Sequence, residues 1–274
     1  MALITFTSMF GSGGEGIAQK VSDQLGIQLF DDRKQQERAL AMGVSDKDLA
    51  GLDVQAPGFF DRLFSNKPAI YLDLLGSVVY DIASTGEGLI VGHGAQLFLK
   101  DFNCALHVMV YASEESRSEM LAQDQEIDKA AALRLIHRMD KRYKDFVQYA
   151  FNRDWSDPGH YDMVINLDKL STDWAVKLIV ELAKSEEIKT CSLQALEQME
   201  TSSLQRKVDA AIIKNNVSST FRHIFVDVLD IESVHLTGST FSESDRKRVI
   251  EVVKSVPGVS KVTSDIIVPP YVSE

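Results

Sequence analysis

Cysteine is nearly absent: Cys104 and Cys191 are the two in 274 residues. Two cysteines give no disulfide framework and no metal-ligand spacing, and both thiols are expected to be reduced, as in the cytoplasm. Proline is equally scarce, at six, and no low-complexity tract or internal repeat is found, which excludes a collagen-like or proline-rich chain. Positive charge is in deficit, with 29 Lys and Arg against 40 Asp and Glu and a net charge of -11. So acidic a surface repels nucleic acid and anionic lipid on average, while still permitting a local basic pocket for a phosphate. No apolar run approaches the roughly 20 residues a membrane span needs. The opening MALITFTSMFGSGG has neither a basic n-region nor an apolar h-region, so a cytoplasmic location is expected.

What remains is ordinary globular composition, 45% hydrophobic and 25% charged. The charge is unevenly spread. Residues 201–274 carry nine basic and nine acidic side chains, so residues 1–200 hold the whole of the -11. That split, and the length, suggest two modules.

Residues 2–8 (ALITFTS) read as a short buried strand. Phe10-Gly11-Ser12-Gly13-Gly14 follows. Ile17, Ala18, Val21 and Leu25 then recur on one helix face, and Gly26 stands where a helix ends. IQLF leads to Asp31, Asp32, Arg33 and a polar helix, and 51–67 looks like an excursion or loop. Helical periodicity returns over 69–84. Strands are expected at 88–94, 105–112 and 161–168, with one or two charged helices over 114–150 and a last one at 172–184. Alternation at this spacing predicts an α/β fold, a parallel sheet covered by helices on both faces. Residues 185–205 read as a linking helix, open to being continuous with the next one, and 206–269 as helix-strand-strand-helix-strand, with Ser242 capping the helix at 243–256.

A strand, a glycine turn and a helix start form an anion site, because backbone N–H groups and the helix dipole both favour negative charge. The standard phosphate loop is GxxxxGK[ST], with lysine on the phosphates and a hydroxyl on magnesium. Aligned on Gly13, its first glycine becomes Ser8, its lysine Gly14 and its hydroxyl Glu15. The same residues also suit a tight strand-to-helix turn that holds no ligand.

Four stretches resemble the cytidylate-kinase-like family, a P-loop nucleoside monophosphate kinase branch. They are ITFTSMFGSGGEGIAQKVSDQLG, LFDDR, LIVGHGAQLFL and HRMDKRYKDFVQYAFNRDWSDPGHYDMVINLDKLS. The resemblance implies ATP-dependent phosphoryl transfer to a nucleoside monophosphate or other small acceptor, with ATP and Mg²⁺. It implies that Ser8, Gly11, Ser12, Gly13 and Gly14 hold the ATP phosphates. On the acceptor side it implies Asp32, Arg33, Gly92, His93, Gly94 and Arg117. It implies a catalytic lid of Arg138, Lys141 and Arg142, and no protein metal cluster. The sequence departs from the family at Met9 and His93, where arginine is common, and at Glu15, where a basic residue is. The alternative is therefore a non-catalytic kinase fold that senses a nucleotide or metabolite, or serves as a scaffold.

Residues 206–269 resemble a BON domain, on DAAIIKNNVSS, Val-His-Leu-Thr-Gly (234–238) and the Val-Pro-Gly-Val run within 253–262. The expected organisation is a kinase-like domain at 1–185, a helical linker at 186–205 and a BON-like domain at 206–274. The last is read as a binding, sensing or assembly module of unassigned ligand. Arg246, Lys247 and Arg248 form a short basic cluster on its second helix. The stretch 191–216 offers a surface for a second copy, so a homodimer is one expectation.

Overall fold

The computed structural model describes residues 2–42, 68–215 and 221–269; the excursion expected at 51–67 lies outside them. The chain divides into two compact units, Met1–Lys34 with Thr85–Ser192, and Gln35–Ser84 with Leu193–Glu274.

The first unit is built on β1 (Leu3–Ser8), whose residues are almost all buried. A strand buried on both faces belongs in the middle of a parallel sheet. β1 indeed lies between β3 (Gly88–Val91) and β4 (Ala105–Tyr111), in the order β2-β3-β1-β4-β5. The edges are β2 (Leu29–Phe30) and β5 (Met163–Asn166), and every pairing is parallel. Ile4 and Phe6 share one face with Leu106, Val108, Val110 and Ile165. They pack on Ile17, Ala18 and Val21 of α1 (Gly14–Leu25) and on Ala175, Val176 and Ile179 of α7 (Thr172–Ala183). Each Val, Ile, Leu or Phe among them contributes about 1.5–3 kcal/mol when fully buried. The opposite face of β1 carries Thr5 and Thr7, which are buried and bonded: Thr5 Oγ1 to His107 Nδ1 at 2.8 Å, and Thr7 Oγ1 donating to Gln96 Oε1 at 3.3 Å. Burial lowers the pKa of His107, which keeps the ring neutral.

The charged stretch resolves into α5 (Glu114–Asp124) and α6 (Lys129–Phe151). Ser113 and Asp128 cap them by accepting the amides of Ser116 and Ala131. The expectation of two reduced thiols is corrected. Cys104, just before β4, is bonded to Cys191, beyond α7, with the two Cα atoms 4.9 Å apart. The cysteines are 87 positions apart in sequence, a separation that no local pattern reveals.

In the second unit, α3 (Pro68–Ala83) packs against α8 (Leu193–Lys214). The expected linker and the first helix of the C-terminal module are thus one continuous helix. Leu204, Val208 and Ile212 recur every fourth residue and face Val234, Leu236, Val249, Val253 and Ile266. Another face of α8 meets α3, where Ser203 Oγ donates to the Ser77 carbonyl at 2.8 Å and Arg206 pairs with Asp73 at 2.7 Å. The three-stranded sheet has the order β6-β7-β8. β6 (Phe221–Val228) runs antiparallel to β7 (Ser233–Thr240), and β8 (Lys261–Ile267) parallel to it. Ser242 Oγ accepts the Asp245 amide and starts α9 (Glu243–Lys254), and Gly258, at φ 97°, makes the turn into β8. Arg246 pairs with Glu243, and Arg248 donates to the Asn215 carbonyl, so both are engaged locally.

Two measurements follow. Reduction of the disulfide, or Cys104→Ser, is expected to lower stability by about 2–4 kcal/mol, read as a fall in the urea midpoint; equal midpoints with and without reductant would deny the bond any stabilising role. Asp209 on α8 is the second case. Burial, opposed by a bond from Gln205, pushes its pKa up to about 6. Between about pH 4, where an unfolded Asp ionises, and pH 6 the folded state binds more protons, so stability falls as pH rises through that window. Asp209→Asn should flatten this slope and raise the melting temperature at pH 8; an unchanged slope would refute the assignment.

Candidate functional site

The site is assembled at the C-terminal ends of β1, β2, β3 and β4, where ligands of open α/β sheets bind. β1 ends at Ser8, and the Met9 amide bonds the Val110 carbonyl of β4 at 3.1 Å, which ties the next residues to the sheet. The loop turns through Gly11 (φ 81°) and Gly13 (φ 73°), conformations that favour glycine. The Ser12 amide donates to the Met9 carbonyl at 3.1 Å. Gly14 has a different reason to be glycine. An added Cβ there would fall on the Cβ and Oγ of Ser8, so α1 can start this close to β1 only without a side chain.

This geometry leaves polar groups open. Gly13 caps α1 without a side-chain hydrogen bond. The amides of Gly13, Gly14, Glu15 and Gly16 donate to no acceptor among the described residues. Ser12 Oγ is buried without a partner. A row of open amides at the start of a 12-residue helix beside an orphaned hydroxyl fits a phosphate chain. The magnesium half of the standard motif does not fit: Glu15, exposed in the first turn, stands where the hydroxyl would be. Among the described residues no cluster of three His, Cys, Asp or Glu could hold a metal.

Arg117 is brought to this loop. Its side chain is 3% exposed, donates to the Phe10 carbonyl at 3.1 Å, and pairs with Asp140 of α6 at 2.9 Å. Its Nε has no partner. Met120 of α5 also approaches, with its sulfur 3.2 Å from where a Gly13 Cβ would stand. Arg138, Lys141 and Arg142 lie on α6. α6 turns its Ile136, Asp140, Tyr143 and Val147 face inward, and at about 100° per residue Arg138 and Lys141 project from the far side. All three are exposed, and Lys141 pairs with Asp145 at 2.7 Å.

The acceptor-side residues gather beyond β3. Gly92, His93 and Gly94 are three consecutive left-handed residues, at φ 72°, 52° and 73°. His93 Nε2 lies 3.2 Å from Asp32 Oδ1, at the start of α2 (Asp32–Ala41). Asp31 Oδ1 accepts the Lys34 amide and caps that helix; Arg33 is exposed. The Gly94 amide donates to Tyr143 Oη at 3.3 Å, and a Cβ at Gly94 would meet the Phe151 ring at 2.7 Å. Behind the turn, on the short helix α4 (Ala95–Phe98), buried Gln96 donates to Tyr161 Oη at 3.1 Å, and Tyr161 donates to the Trp155 carbonyl at 2.7 Å. Burial raises the pKa of both tyrosines, so both stay neutral donors. Sequence reasoning missed Asp140, Tyr143, Gln96 and Phe151. The acid and the aromatics interrupting the basic run HRMDKRYKDF were the available signal, since an exposed cationic face has no use for them.

A parallel sheet with a glycine loop between its first strand and first helix defines a kinase-like P-loop fold. The chain belongs to the cytidylate kinase-like family, whose profile matches residues 3–169, and residues 200–270 match the BON domain. An uncharacterized protein from Eubacterium ventriosum has a similar structure, with a TM-score of 0.54 and 22% identity, covering 68% of this chain and 99% of that one. Also similar are the shikimate kinases of Bacteroides thetaiotaomicron, at 14% identity, TM-score 0.42 and coverage of 67% and 99%, and of Acinetobacter baumannii, at 15%, 0.39 and coverage of 69% and 96%. No curated protein matches the chain.

The Gly14–Ser8 contact is directly testable. Gly14→Ala is expected to cost about 1–3 kcal/mol, the range for overpacking, seen as a lower melting temperature. Ser8→Gly in the same chain should recover most of the loss. A Gly14→Ala protein as stable as the parent would mean that the contact does not hold.

Proposed function

We propose that the first unit binds the phosphates of ATP on residues 8–16 and transfers the terminal phosphoryl group to a small acceptor held by the 92–94 turn and the start of α2. The observation that carries this is the pairing of open amides at Gly13–Gly16 with the buried, unpartnered Ser12 hydroxyl. When bound, the nucleotide supplies the transferable group. The amides of this chain hold its oxygens, and Arg117 keeps the loop in shape through the Phe10 carbonyl. The reading rests on the loop; Arg138, Lys141 and Arg142 are exposed on α6. A nucleoside monophosphate is the acceptor that family membership suggests.

A second reading, a nucleotide sensor without turnover, is favoured by one observation. Position 14 has no room for a side chain such as lysine, and the Arg117 charge is taken up by Asp140. The BON domain is proposed to serve binding or assembly, including pairing with a second copy.

Calorimetric titration of the full chain with ATP tests the loop. Ser12→Ala removes an unsatisfied buried hydroxyl, so the ligand-free protein should become slightly more stable, while ATP affinity falls about 5-fold, the worth of one hydrogen bond. Unchanged affinity would remove Ser12 from the phosphate site. Absence of ATP binding by the parent would sink both readings of the loop.

A further inference from the structure

β8 closes one side of the three-stranded sheet, and its outer edge is open among the described residues. An open strand edge is a template for another chain. Two bonds show which backbone groups it offers. The Lys261 amide donates to the Glu232 carbonyl at 3.2 Å, on the β7 side. Residues of a strand alternate in direction, so Thr263 and Asp265 also turn their backbone groups to β7, while Val262, Ser264 and Ile266 turn theirs outward. The Ile266 amide accordingly meets Ser264 Oγ, at 3.3 Å, instead of a strand. The N–H and C=O groups of Val262 and Ser264 are the open part of the edge.

The side chains divide by face. Val262 and Ile266 pack with Leu236 and Val249 in the core of the module. Lys261, Thr263, Asp265 and Ile267 are exposed on the other face. Charged side chains usually blunt an edge, but here their spacing is self-complementary. Lys261 and Asp265 are equidistant from Thr263 in sequence. When β8 runs antiparallel to a copy of itself about Thr263, Lys261 of each copy stands opposite Asp265 of the other. Val262 and Ser264 of the two copies then exchange their open N–H and C=O groups. Lys261 and Asp265 fall in the intervening positions, where opposed side chains come closest and opposite charges attract. A register centred on Ser264 would set Lys261 against Ile267 and Asp265 against Thr263, so the charges select Thr263. His235 bonds Thr263 Oγ1 at 2.9 Å and approaches Asp265 at 3.5 Å; a carboxylate has several lone-pair sites, so Asp265 can keep this neighbour and accept a lysine.

The charge of the whole chain favours the same module. Residues 201–274 sum to zero, so two copies can meet through them without the repulsion that the first 200 residues carry. The stretch 191–216 is less suited to a second copy, because α8 already packs on α3 and on the sheet. We propose that β8 is the assembly surface of this protein and pairs antiparallel about Thr263 with β8 of a second copy, joining two sheets into one. This rests on the reading of the BON domain as an assembly module.

Sedimentation of the full chain over a range of concentrations tests it. A reversible monomer–dimer equilibrium is expected. Lys261→Asp sets carboxylates opposite one another at both symmetric contacts and should raise the dimer dissociation constant by about 10-fold or more; Asp265→Lys should do the same. Lys261→Asp combined with Asp265→Lys restores opposite charges and should recover most of the affinity, which a merely structural role for either residue would not produce. Both side chains are exposed, so the melting temperature of each variant should match the parent. Thr263→Cys, opposed to itself at the symmetry centre, should cross-link two copies on mild oxidation. A dimer that ignores the charge variants, or that does not cross-link through Thr263→Cys, would overturn the pairing and leave the assembly reading standing. A parent that stays monomeric at every concentration would overturn both.

Discussion

The approach of α1 to β1 at Gly14 is the constraint on which the rest of the first unit depends. With Ser8 directly against Gly14, the helix begins beside the strand end, and its first amides point out over the edge of the sheet. A side chain at 14 would push α1 away from Ile4 and Phe6, which pack on Ile17, Ala18 and Val21. The same contact forbids a lysine at the position where a standard phosphate loop carries one. The missing lysine is therefore a packing property of this chain and not a single lost charge.

The loop compensates for tightness with backbone geometry and not with cations. Its shape is fixed by the Met9 amide on β4, by the Ser12 amide on the Met9 carbonyl and by Arg117 on the Phe10 carbonyl. Arg117 is buried, and a buried guanidinium is tolerated only with a partner; Asp140 supplies it. The pair joins α5, α6 and the loop into one body. Removing either partner would leave the other charge buried and alone, which typically costs 3–5 kcal/mol, so the pair is first a structural tie.

Much of this was legible in the sequence because punctuation and periodicity are local. The β1-loop-α1 unit followed from FGSGG between a β-branched strand and a helix face, and Ser242 was readable as a cap. The join between the modules was legible only in part. A linking helix read over 185–205, open to continuing into the next one, is borne out from Leu193, but its packing was hidden: Ser203 and Arg206 bond α3 while Leu204, Val208 and Ile212 face a sheet. A helix with two buried faces has little amphipathic signal. The disulfide was hidden for a related reason: its cysteines are separated by 87 positions that span two strands and three α-helices. Resemblance assigned Arg138, Lys141 and Arg142 to a lid, and all three are exposed on α6, whose phase is set by Ile136, Asp140, Tyr143 and Val147. Composition could not supply that phase; a count of the inward residues could.

The site thus contains two different electrostatic regimes, one at the loop and one at the turn. On the loop side, open amides and a neutral hydroxyl offer a field of partial positive charge. On the turn side, Asp32 and His93 face each other. Amide dipoles act at short range and only on groups seated among them, so they favour a ligand that is already in place. Long-range attraction would require net positive charge, and the first 200 residues carry -11. A chain arranged this way draws little on steering and depends on fit. Fit is what the constrained glycines, the caged His93 turn and the buried tyrosines provide, since each fixes a polar atom by packing and not by charge.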